Sequence, residues 1–384
     1  MKPRAFITGV GDTAVGELAG SSCMGLHREA ALAAVTDAGL ALSDIDGVLC
    51  AYSFTEPHLM LGSVFCEFMG IHPAFCSAIQ AGGASACIML MQAAALVASG
   101  QCRHVLAVTG DNRLSGMSRD GAVAALADVG HPQFERPYGI SVPASYALVA
   151  RRYMHEYGAT LEQLAAIAVE HRTHAARHPK AHKRAPITVA DVMASREICS
   201  PLRLLDCCLI SDGGAAVVVS AADAAGDAPS RPIAILGAGQ GHTHEHIVCA
   251  PSLTDFGCKD SSRRAFGQAG VSAADIDVAE IYDSFTVTLL VELESIGFFP
   301  RGEAGPAAQS GALGLGGALP CNTHGGLLSY GHSGAAGGMF HAVEAVHQLR
   351  HNAGARQVRD AELAFVHGDG GILSAHCSLV LGRI

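Results

Sequence analysis

Several features that would point directly to a function are missing from this 384-residue sequence. No apolar run approaches the roughly 20 residues that cross a bilayer, and the N-terminus lacks the apolar stretch and cleavage site of a signal peptide. Lys and Arg number 25 against 35 Asp and Glu, for a formal net charge of −10. Because nucleic-acid binding needs a basic surface, this balance argues against such a role. We expect a cytoplasmic protein without a membrane or nucleic-acid partner.

The cysteines also lack an organised pattern. The chain has 13 of them, an odd number, and no two form a Cys-x-x-Cys pair. This spacing gives little support to a disulfide framework or a zinc site. In a reducing compartment, such thiols mostly behave as small buried apolar side chains.

One internal repeat is present. Residues Gly39–Asp46 recur as Gly270–Asp277, and Ser53-Phe54 recurs as Ser284-Phe285, both at an offset of 231 (270 − 39 and 284 − 53). Two copies this far apart are too few for a solenoid, whereas the length suffices for two domain-sized halves. The repeat predicts a duplicated α/β unit. We place the N-terminal half at residues 1–225, with an inserted excursion at about 110–205, and the C-terminal half at 226–384.

Hydrophobic periodicity and the glycine and proline positions predict the main elements. Gly and Ala are abundant in the sequence, which favours close packing of helices on both faces of a buried sheet. The predicted helices are His27–Ala38, a helix from about Ala86 to Ser99, Val142–Tyr157, Leu161–His178, Ser261–Ala269 and Met339–Leu349. The predicted strands lie within Met1–Val10, Ile45–Ala51, Ala74–Ile79, His104–Thr109, Ala216–Ser220, Ile233–Leu236, Val278–Tyr282, Ala364–His367 and Ser378–Leu381.

Several segments resemble the thiolase superfamily over nearly the whole chain. Asn322–Gly337 resembles its glycine-rich loop with a Gly-His pair, Glu280–Phe285 resembles its Asn-Glu-Ala-Phe segment, and Gly368–Gly371 is similar to its last glycine loop. Ser200–Cys208, followed by Asp212–Ala215, resembles the sterol-carrier-type branch, often called lipid-transfer proteins. The resemblance implies the five-layered α-β-α-β-α thiolase fold built from two duplicated halves. It also implies an acyl-CoA substrate, no cofactor other than that coenzyme A, and a homodimer.

The resemblance also shows which thiolase residues are absent. A thiolase nucleophile is a Cys at a helix start, where the helix dipole and backbone N–H groups lower the thiol pKa. The matching position here is Gly83, with Ser85 two residues later. The second thiolase Cys matches His367, and the Asn that holds a catalytic water matches Tyr282. The Gly-His pair is kept as Gly331-His332.

Without a thiolate, the covalent acyl-enzyme route is closed. The remaining groups suit retro-aldol cleavage of a 3-hydroxyacyl-CoA, in which a base takes the hydroxyl proton and charge develops on the thioester oxygen. Each fixed donor at that oxygen contributes roughly 3–4 kcal/mol. We assign His332 as a donor, Tyr282 as a phenolic donor or acid, and His367 as the base.

Tyr282 fits the cysteine-less bacterial steroid side-chain aldolases, a branch of the same superfamily. Those enzymes work with a small partner protein that carries an OB-fold domain. At the position of His332, however, they have a second tyrosine, so the resemblance leaves the substrate open.

Candidate substrate contacts come from the glycine loops and from one basic segment. The loop residues are Gly83, Ser85, Gly331 and Gly370. The basic segment contains Arg172, Arg177, Lys180, Lys183 and Arg184. In the superfamily, the excursion receives the phosphates of CoA, and a solvated surface is the equally weighted alternative here.

Two histidine groups imitate metal sites. The first contains His171, His174, His178 and His182, and the second lies within His242–His246. No carboxylate or thiol completes the first group, and Pro179 breaks its helix before His182. We therefore predict no bound metal.

Two other functions stay open. The first is acyl transfer through Cys87 or another thiol, and a thiol beside His332 at the mouth of the pocket would replace the lyase hypothesis with this one. The second is a non-catalytic subunit that binds acyl-CoA or lipid and supports a catalytic partner.

Overall fold

The computed structural model describes residues 4–118, 121 and 129–383. These residues form an α/β fold around one large mixed sheet. The strands are β1 Ala5–Asp12, β2 Gly47–Ala51, β3 Phe75–Ile79, β4 His104–Asn112, β5 Glu197–Cys199, β6 Leu202–Arg203, β7 Asp212–Ala221, β8 Ile233–His242, β9 Val278–Ile281, β10 Leu363–Gly370 and β11 Ala375–Gly382. The helices described are α1 Cys23–Asp37, α2 Leu61–Met69, α3 Ser85–Ala98, α4 Val142–Tyr157, α5 Leu161–Ala176, α6 Val189–Ala194, α7 Ala222–Ala225, α8 Cys258–Ala269, α9 Thr286–Ile296, α10 Ala304–Gln309, α11 Gly326–Ser329 and α12 Ala336–Leu349.

The large sheet has nine strands in the order β3-β2-β4-β7-β1-β8-β11-β10-β9. Its outer pairs are parallel, namely β2 with β3 and β4, and β9 with β10. The inner pairs are antiparallel. The short pairing of β1 with β8, Phe6 opposite Ala234 and Ile7 opposite Ile233, connects the two halves.

Helices and strands alternate in five layers, as the resemblance implies. Helices α3 and α12 lie between the two halves of the sheet and contact strands of both. On the outer faces, α1 and α2 pack on the N-terminal half, while α8 packs on the C-terminal half and α9 on α8. Alternate residues of the strands therefore enter different cores. In β4, Val105 and Ala107 belong to the central core, and Leu106 and Val108 to the outer one.

The repeated segments adopt the same structure in both halves. Gly39 and Gly270 follow α1 and α8 with φ of 71° and 74°, the left-handed conformation that glycine adopts without strain. In each copy an aspartate then binds the backbone of a neighbouring strand. Asp46 accepts from the N–H groups of Arg103 and His104 at 2.7 and 2.9 Å.

Asp277, the equivalent of Asp46, accepts from the N–H groups of Glu362 and Leu363 at 2.9 and 2.8 Å. The duplication predicted from the sequence is thus confirmed in backbone conformation and in hydrogen bonding. The division between residues 225 and 226 stays a prediction, because β1 and β8 pair within one sheet.

The predicted helices and strands are confirmed, with ends that shift by a few residues. Helix α4 has the predicted bounds, and α5 ends at Ala176, two residues early. Helices α2 and α9 were not predicted. All 11 residues of α9 are buried. The helix therefore has no solvent-exposed polar face, and its sequence lacks the alternation of apolar and polar residues that predicts a surface helix. No helix in the described part of the chain combines the length and apolar composition that a membrane-crossing segment needs.

We predict that Asp46→Ala lowers the thermal unfolding midpoint, because it leaves two strand N–H groups without an acceptor. The expected loss is about 1–3 kcal/mol in the free energy of unfolding. The matched control is Asp223→Ala, which removes an exposed ion pair with Arg103 and should change little. Equal midpoints for the two variants, measured by differential scanning fluorimetry, would contradict this role of Asp46.

Candidate active site

Tyr282 and His332 meet in the structure, although 50 residues separate them in the sequence. Tyr282 follows β9, and His332 lies in the loop between α11 and α12. The phenol oxygen is 2.9 Å from His332 Nε2, and the two rings are perpendicular. Tyr282 is buried, whereas His332 is partly exposed, so the pair can be approached from solvent.

Gly83 is adjacent to the tyrosine ring. A Cβ atom built on Gly83 would lie 2.1 Å from Tyr282 Cζ and 2.4 Å from the Asp369 carbonyl oxygen. Both distances are far below van der Waals contact, so no side chain fits at position 83 while Tyr282 keeps its place. The phenol ring occupies the space into which a cysteine at the start of α3 would project.

The predicted loop residues surround this pair. A Cβ on Gly331 would lie 2.2 Å from Val15 Cγ1, and one on Gly370 would lie 2.0 Å from the Ala81 carbonyl oxygen. Both glycines therefore permit close approach of the loops. Ser85 is fully buried, and its hydroxyl donates to the Gly82 carbonyl at 2.7 Å. Substrate contact by Gly83, Ser85, Gly331 and Gly370 stays a prediction.

Burial sets the charge state of the pair. It lowers the pKa of His332 from 6.5 to about 3, with the positive charge of Arg113 acting in the same direction. Burial also raises the pKa of Tyr282 well above its ordinary value near 10. At neutral pH the imidazole is therefore uncharged and the phenol protonated. With the imidazole proton on Nδ1, the phenol donates its hydrogen bond to the lone pair of Nε2.

His367, the predicted base, is not brought to this pair. Its imidazole is fully buried, with Nδ1 2.9 Å from Ser378 Oγ and Nε2 3.1 Å from His376 Nδ1. Only its backbone carbonyl contacts the site, by accepting from the Tyr282 N–H at 3.0 Å. Burial lowers the pKa of His367 to about 3. The imidazole of His367 has no hydrogen bond to Tyr282 or His332 among the described contacts, so the geometry does not support the assignment of His367 as the base.

Cys208, which the sequence did not single out, is beside His332. Its Sγ lies 3.3 Å from His332 Nδ1, in the loop before β7. A thiol in this place is the arrangement that favours acyl transfer. Burial raises the pKa of Cys208 to about 12, however, so the group is a thiol at neutral pH and a poor nucleophile. The one signal that could have identified Cys208 is its place in the segment Ser200–Cys208.

Two further cysteines near Gly83 in the sequence are Cys87, which the sequence analysis considered for acyl transfer, and Cys76 on the preceding strand. Cys87 is fully buried within α3, and burial raises its pKa to about 12. Cys76 is exposed on β3, 3.8 Å from the sulfur of Cys66. The structure gives neither of them a hydrogen bond to Tyr282 or His332.

The basic segment divides into a buried and an exposed part. Arg172 is buried, where its Nε donates to Ser329 Oγ at 2.9 Å and Nη1 to the Ala185 carbonyl at 3.1 Å. These bonds stabilise the turn at Ser329, so Arg172 is a structural residue rather than the phosphate ligand that we expected. Arg177, Lys180, Lys183 and Arg184 are exposed.

Neither of the two histidine groups identified by spacing forms a metal-like cluster among the described residues. His171 Nδ1 is 2.8 Å from Asp283, His174 Nδ1 is 3.2 Å from the Asn322 carbonyl, and His182 Nδ1 is 2.9 Å from Ser211. Metal-like spacing occurs instead in two buried groups of described residues. They are Glu280, His324 and His341, and Glu292, His367 and His376. Each could offer one carboxylate and two imidazole ligands.

Comparison with known proteins identifies the family. A model described as the N-terminal domain of thiolase matches residues 4–223, and one described as thiolase C-terminal domain-like matches residues 239–383. The chain is 38% identical over 356 residues to a steroid side-chain-cleaving aldolase of Thermomonospora curvata, covering 89% of this chain and 90% of the aldolase. It is 34% identical to an acetyl-CoA acetyltransferase of Methanothermobacter thermautotrophicus, covering 96% and 98%.

Solved structures agree. The chain superposes on a structure described as the Ltp2-ChsH2(DUF35) aldolase with a TM-score of 0.88 and 37% identity, covering 99% of this chain and 98% of that one. The two family models together match most of the sequence. The chain is an enzyme of the thiolase superfamily.

Proposed function

We propose that this enzyme cleaves a C–C bond of a 3-hydroxyacyl-CoA by a retro-aldol reaction, without a cysteine nucleophile. The observation that carries the proposal is the position of Tyr282, whose phenol fills the space in front of Gly83 and binds a neutral His332. The similarity to an aldolase that cleaves steroid side chains supports the same chemistry.

The pair can move the one proton that the reaction requires. The substrate hydroxyl gives its proton to the Tyr282 oxygen while the phenol passes its own proton to His332 Nε2. The hydroxyl oxygen then forms a carbonyl group, the C2–C3 bond breaks, and its electron pair becomes the thioester enolate. The imidazolium, which is a strong acid because burial lowers its pKa to about 3, returns the proton through the phenol to C2. The products are a carbonyl compound and a shortened acyl-CoA.

This reaction needs no further cofactor, since no electron is gained or lost and coenzyme A is part of the substrate. The exposed cations Arg177, Lys183 and Arg184 are available to the phosphates of CoA. This scheme differs from the assignment made from the sequence. His367 has no role in it, and His332 acts as the proton acceptor rather than as the oxyanion donor.

The assembly that we propose is a homodimer with a small OB-fold partner. Strand β3 is at one edge of the large sheet, and Leu59, Met60 and Phe68 are exposed near it in sequence. An unpaired edge beside apolar side chains suits pairing with a second copy. The description of the related structure as Ltp2-ChsH2(DUF35) supports a partner protein. The 13 free cysteines, two with sulfurs 3.8 Å apart, support a reducing, cytoplasmic location.

A second candidate function is acyl transfer through Cys208. Its sulfur is 3.3 Å from the His332 imidazole, the relation of a nucleophile to its base. The similarity to an acetyl-CoA acetyltransferase favours this alternative. Against it, the thiol pKa of about 12 leaves almost no thiolate at neutral pH.

We predict that Tyr282→Phe and His332→Ala each lower kcat/KM for cleavage by about 10²–10⁴-fold, the usual contribution of general acid–base catalysis. The carbonyl product and the shortened acyl-CoA would be quantified by liquid chromatography, with steroid, aromatic and linear 3-hydroxyacyl-CoA substrates. The enzyme would be assayed alone and after co-expression with an OB-fold protein encoded beside it. Tyr157→Phe, at the end of α4, is the matched control. An unchanged rate for Tyr282→Phe would refute the scheme.

We also predict that Cys208→Ala retains cleavage within a few fold of the wild-type rate. During turnover, intact-protein mass spectrometry should detect no acyl adduct. An adduct that forms on the wild-type chain and disappears in Cys208→Ala would instead establish acyl transfer. Cys87→Ala is the control for general effects of removing a buried thiol.

A further inference from the structure

Arg113 lies beside the loop that carries His332, and no sequence motif identifies it as a functional residue. It directly follows β4 and is only 4% exposed. Its guanidinium carbon is 4.6 Å from the centre of the Phe54 ring, so the planar group stacks on that ring. Gly334 is two residues after His332, and a Cβ atom there would lie 3.5 Å from Arg113 Cδ. The arginine side chain therefore packs against the catalytic loop.

The guanidinium lacks a partner of opposite charge in the described part of the chain. No carboxylate forms an ion pair with it there, and its buried Nε has no hydrogen-bond acceptor. Asp111 is close to the same loop, but its oxygens accept from Ser53 Oγ at 3.1 Å and from the Phe54 N–H at 2.6 Å. An uncompensated buried charge costs several kcal/mol. The Nε–H group of Arg113 is therefore available to an anion that enters the site.

Arg113 also acts on each reactive group of the site. Its positive charge lowers the pKa of His332, and it offsets part of the rise that burial causes in the pKa of Tyr282 and of Cys208. Its field therefore reaches the place where the proposed reaction develops negative charge.

We propose that Arg113 is a catalytic residue that binds the thioester oxygen of the enolate formed when the C2–C3 bond breaks. This inference rests on the proposed function, in which Tyr282 and His332 move the hydroxyl proton and negative charge develops on the thioester oxygen of the enolate. A guanidinium stays protonated throughout the cycle and presents several fixed N–H donors. In a site shielded from water, one donor to such an oxyanion contributes a factor of about 10²–10³ in rate.

Enolate formation can be measured separately from C–C cleavage. Removal of a C2 proton from a product-like thioester gives the same enolate. The probes are acetyl-CoA and propionyl-CoA in D₂O, with exchange of the C2 hydrogens followed by NMR. We expect exchange with the wild type, a loss of about 10²–10³-fold in Arg113→Met, and a smaller loss in Arg113→Lys. Arg263→Met, which removes an exposed arginine of α8, is the matched control and should exchange normally.

Cleavage kinetics of the same variants separate the possible roles. Arg113→Met should lower kcat more than it raises KM, because the enolate exists only during the reaction. A rise in KM with unchanged kcat would overturn the proposal and indicate a carboxylate on the substrate instead. Equal exchange rates in Arg113→Met and the wild type would also overturn it, as would a wild type that exchanges nothing. If hydrogen exchange depends on Arg113 but no substrate is cleaved, the enolate-binding role of Arg113 would stand and the proposed lyase function would be rejected.

Discussion

The close packing of the Tyr282 ring on Gly83 is the constraint on which the chemistry of this chain depends. A Cβ atom at position 83 would lie 2.1 Å from Tyr282 Cζ. A side chain at position 83 and the phenol of Tyr282 therefore cannot both be present in this arrangement. A cysteine at 83 would need the phenol to leave, and a phenol at 282 requires glycine at 83. The chain thus has a phenol–imidazole pair where its thiolase relatives use a thiolate, on the same backbone. Since both partners of the pair are uncharged at neutral pH, the site is suited to moving a proton within a substrate rather than to forming a thioester.

The duplicated fold explains why distant segments meet there. Helices α3 and α12 lie between the halves of the sheet, and Gly338 of α12 approaches Gly83 so closely that a Cβ would be 2.5 Å from its carbonyl oxygen. The N-terminal half contributes Gly83, Arg113 and Cys208, and the C-terminal half contributes Tyr282 and His332. Each half repeats the same helix-to-strand connection, held by Asp46 in one and Asp277 in the other. The site is therefore sensitive to the relative position of the halves.

The fold is predicted well from the sequence, and the structure brings together Tyr282 and His332, two of the three residues assigned to catalysis. Periodicity gives most of the helices and strands, and the repeat gives the duplicated α/β unit. The resemblance implies the five layers and identifies Gly83, Tyr282 and His332. His367 matches a catalytic cysteine by position, but its imidazole binds Ser378 and His376 instead, a difference that only side-chain packing determines.

The functional residues that the sequence did not predict share one cause. Arg113 and Cys208 lie 219 and 124 residues before His332 (332 − 113 and 332 − 208), and only Cys208 belongs to a segment that the resemblance covers. For Arg172 the sequence led to a functional assignment that the packing does not support. Its position in a basic segment suggested a contact with CoA, but the side chain is buried and binds Ser329. Contacts of this kind depend on tertiary packing, which local patterns do not encode.

The fate of coenzyme A during turnover tests the central claim most directly. The enzyme would be given, in parallel reactions, an unlabelled 3-hydroxyacyl-CoA and the corresponding 3-oxoacyl-CoA, each with isotopically labelled free CoA, and every CoA ester would be analysed by mass spectrometry. Retro-aldol cleavage predicts that the hydroxy ester gives a shortened acyl-CoA without label and a free carbonyl product, and that the oxo ester is not cleaved. An intact hydroxy ester together with an oxo ester that yields a labelled and an unlabelled acyl-CoA in equal amounts would contradict the account and establish transfer through a cysteine.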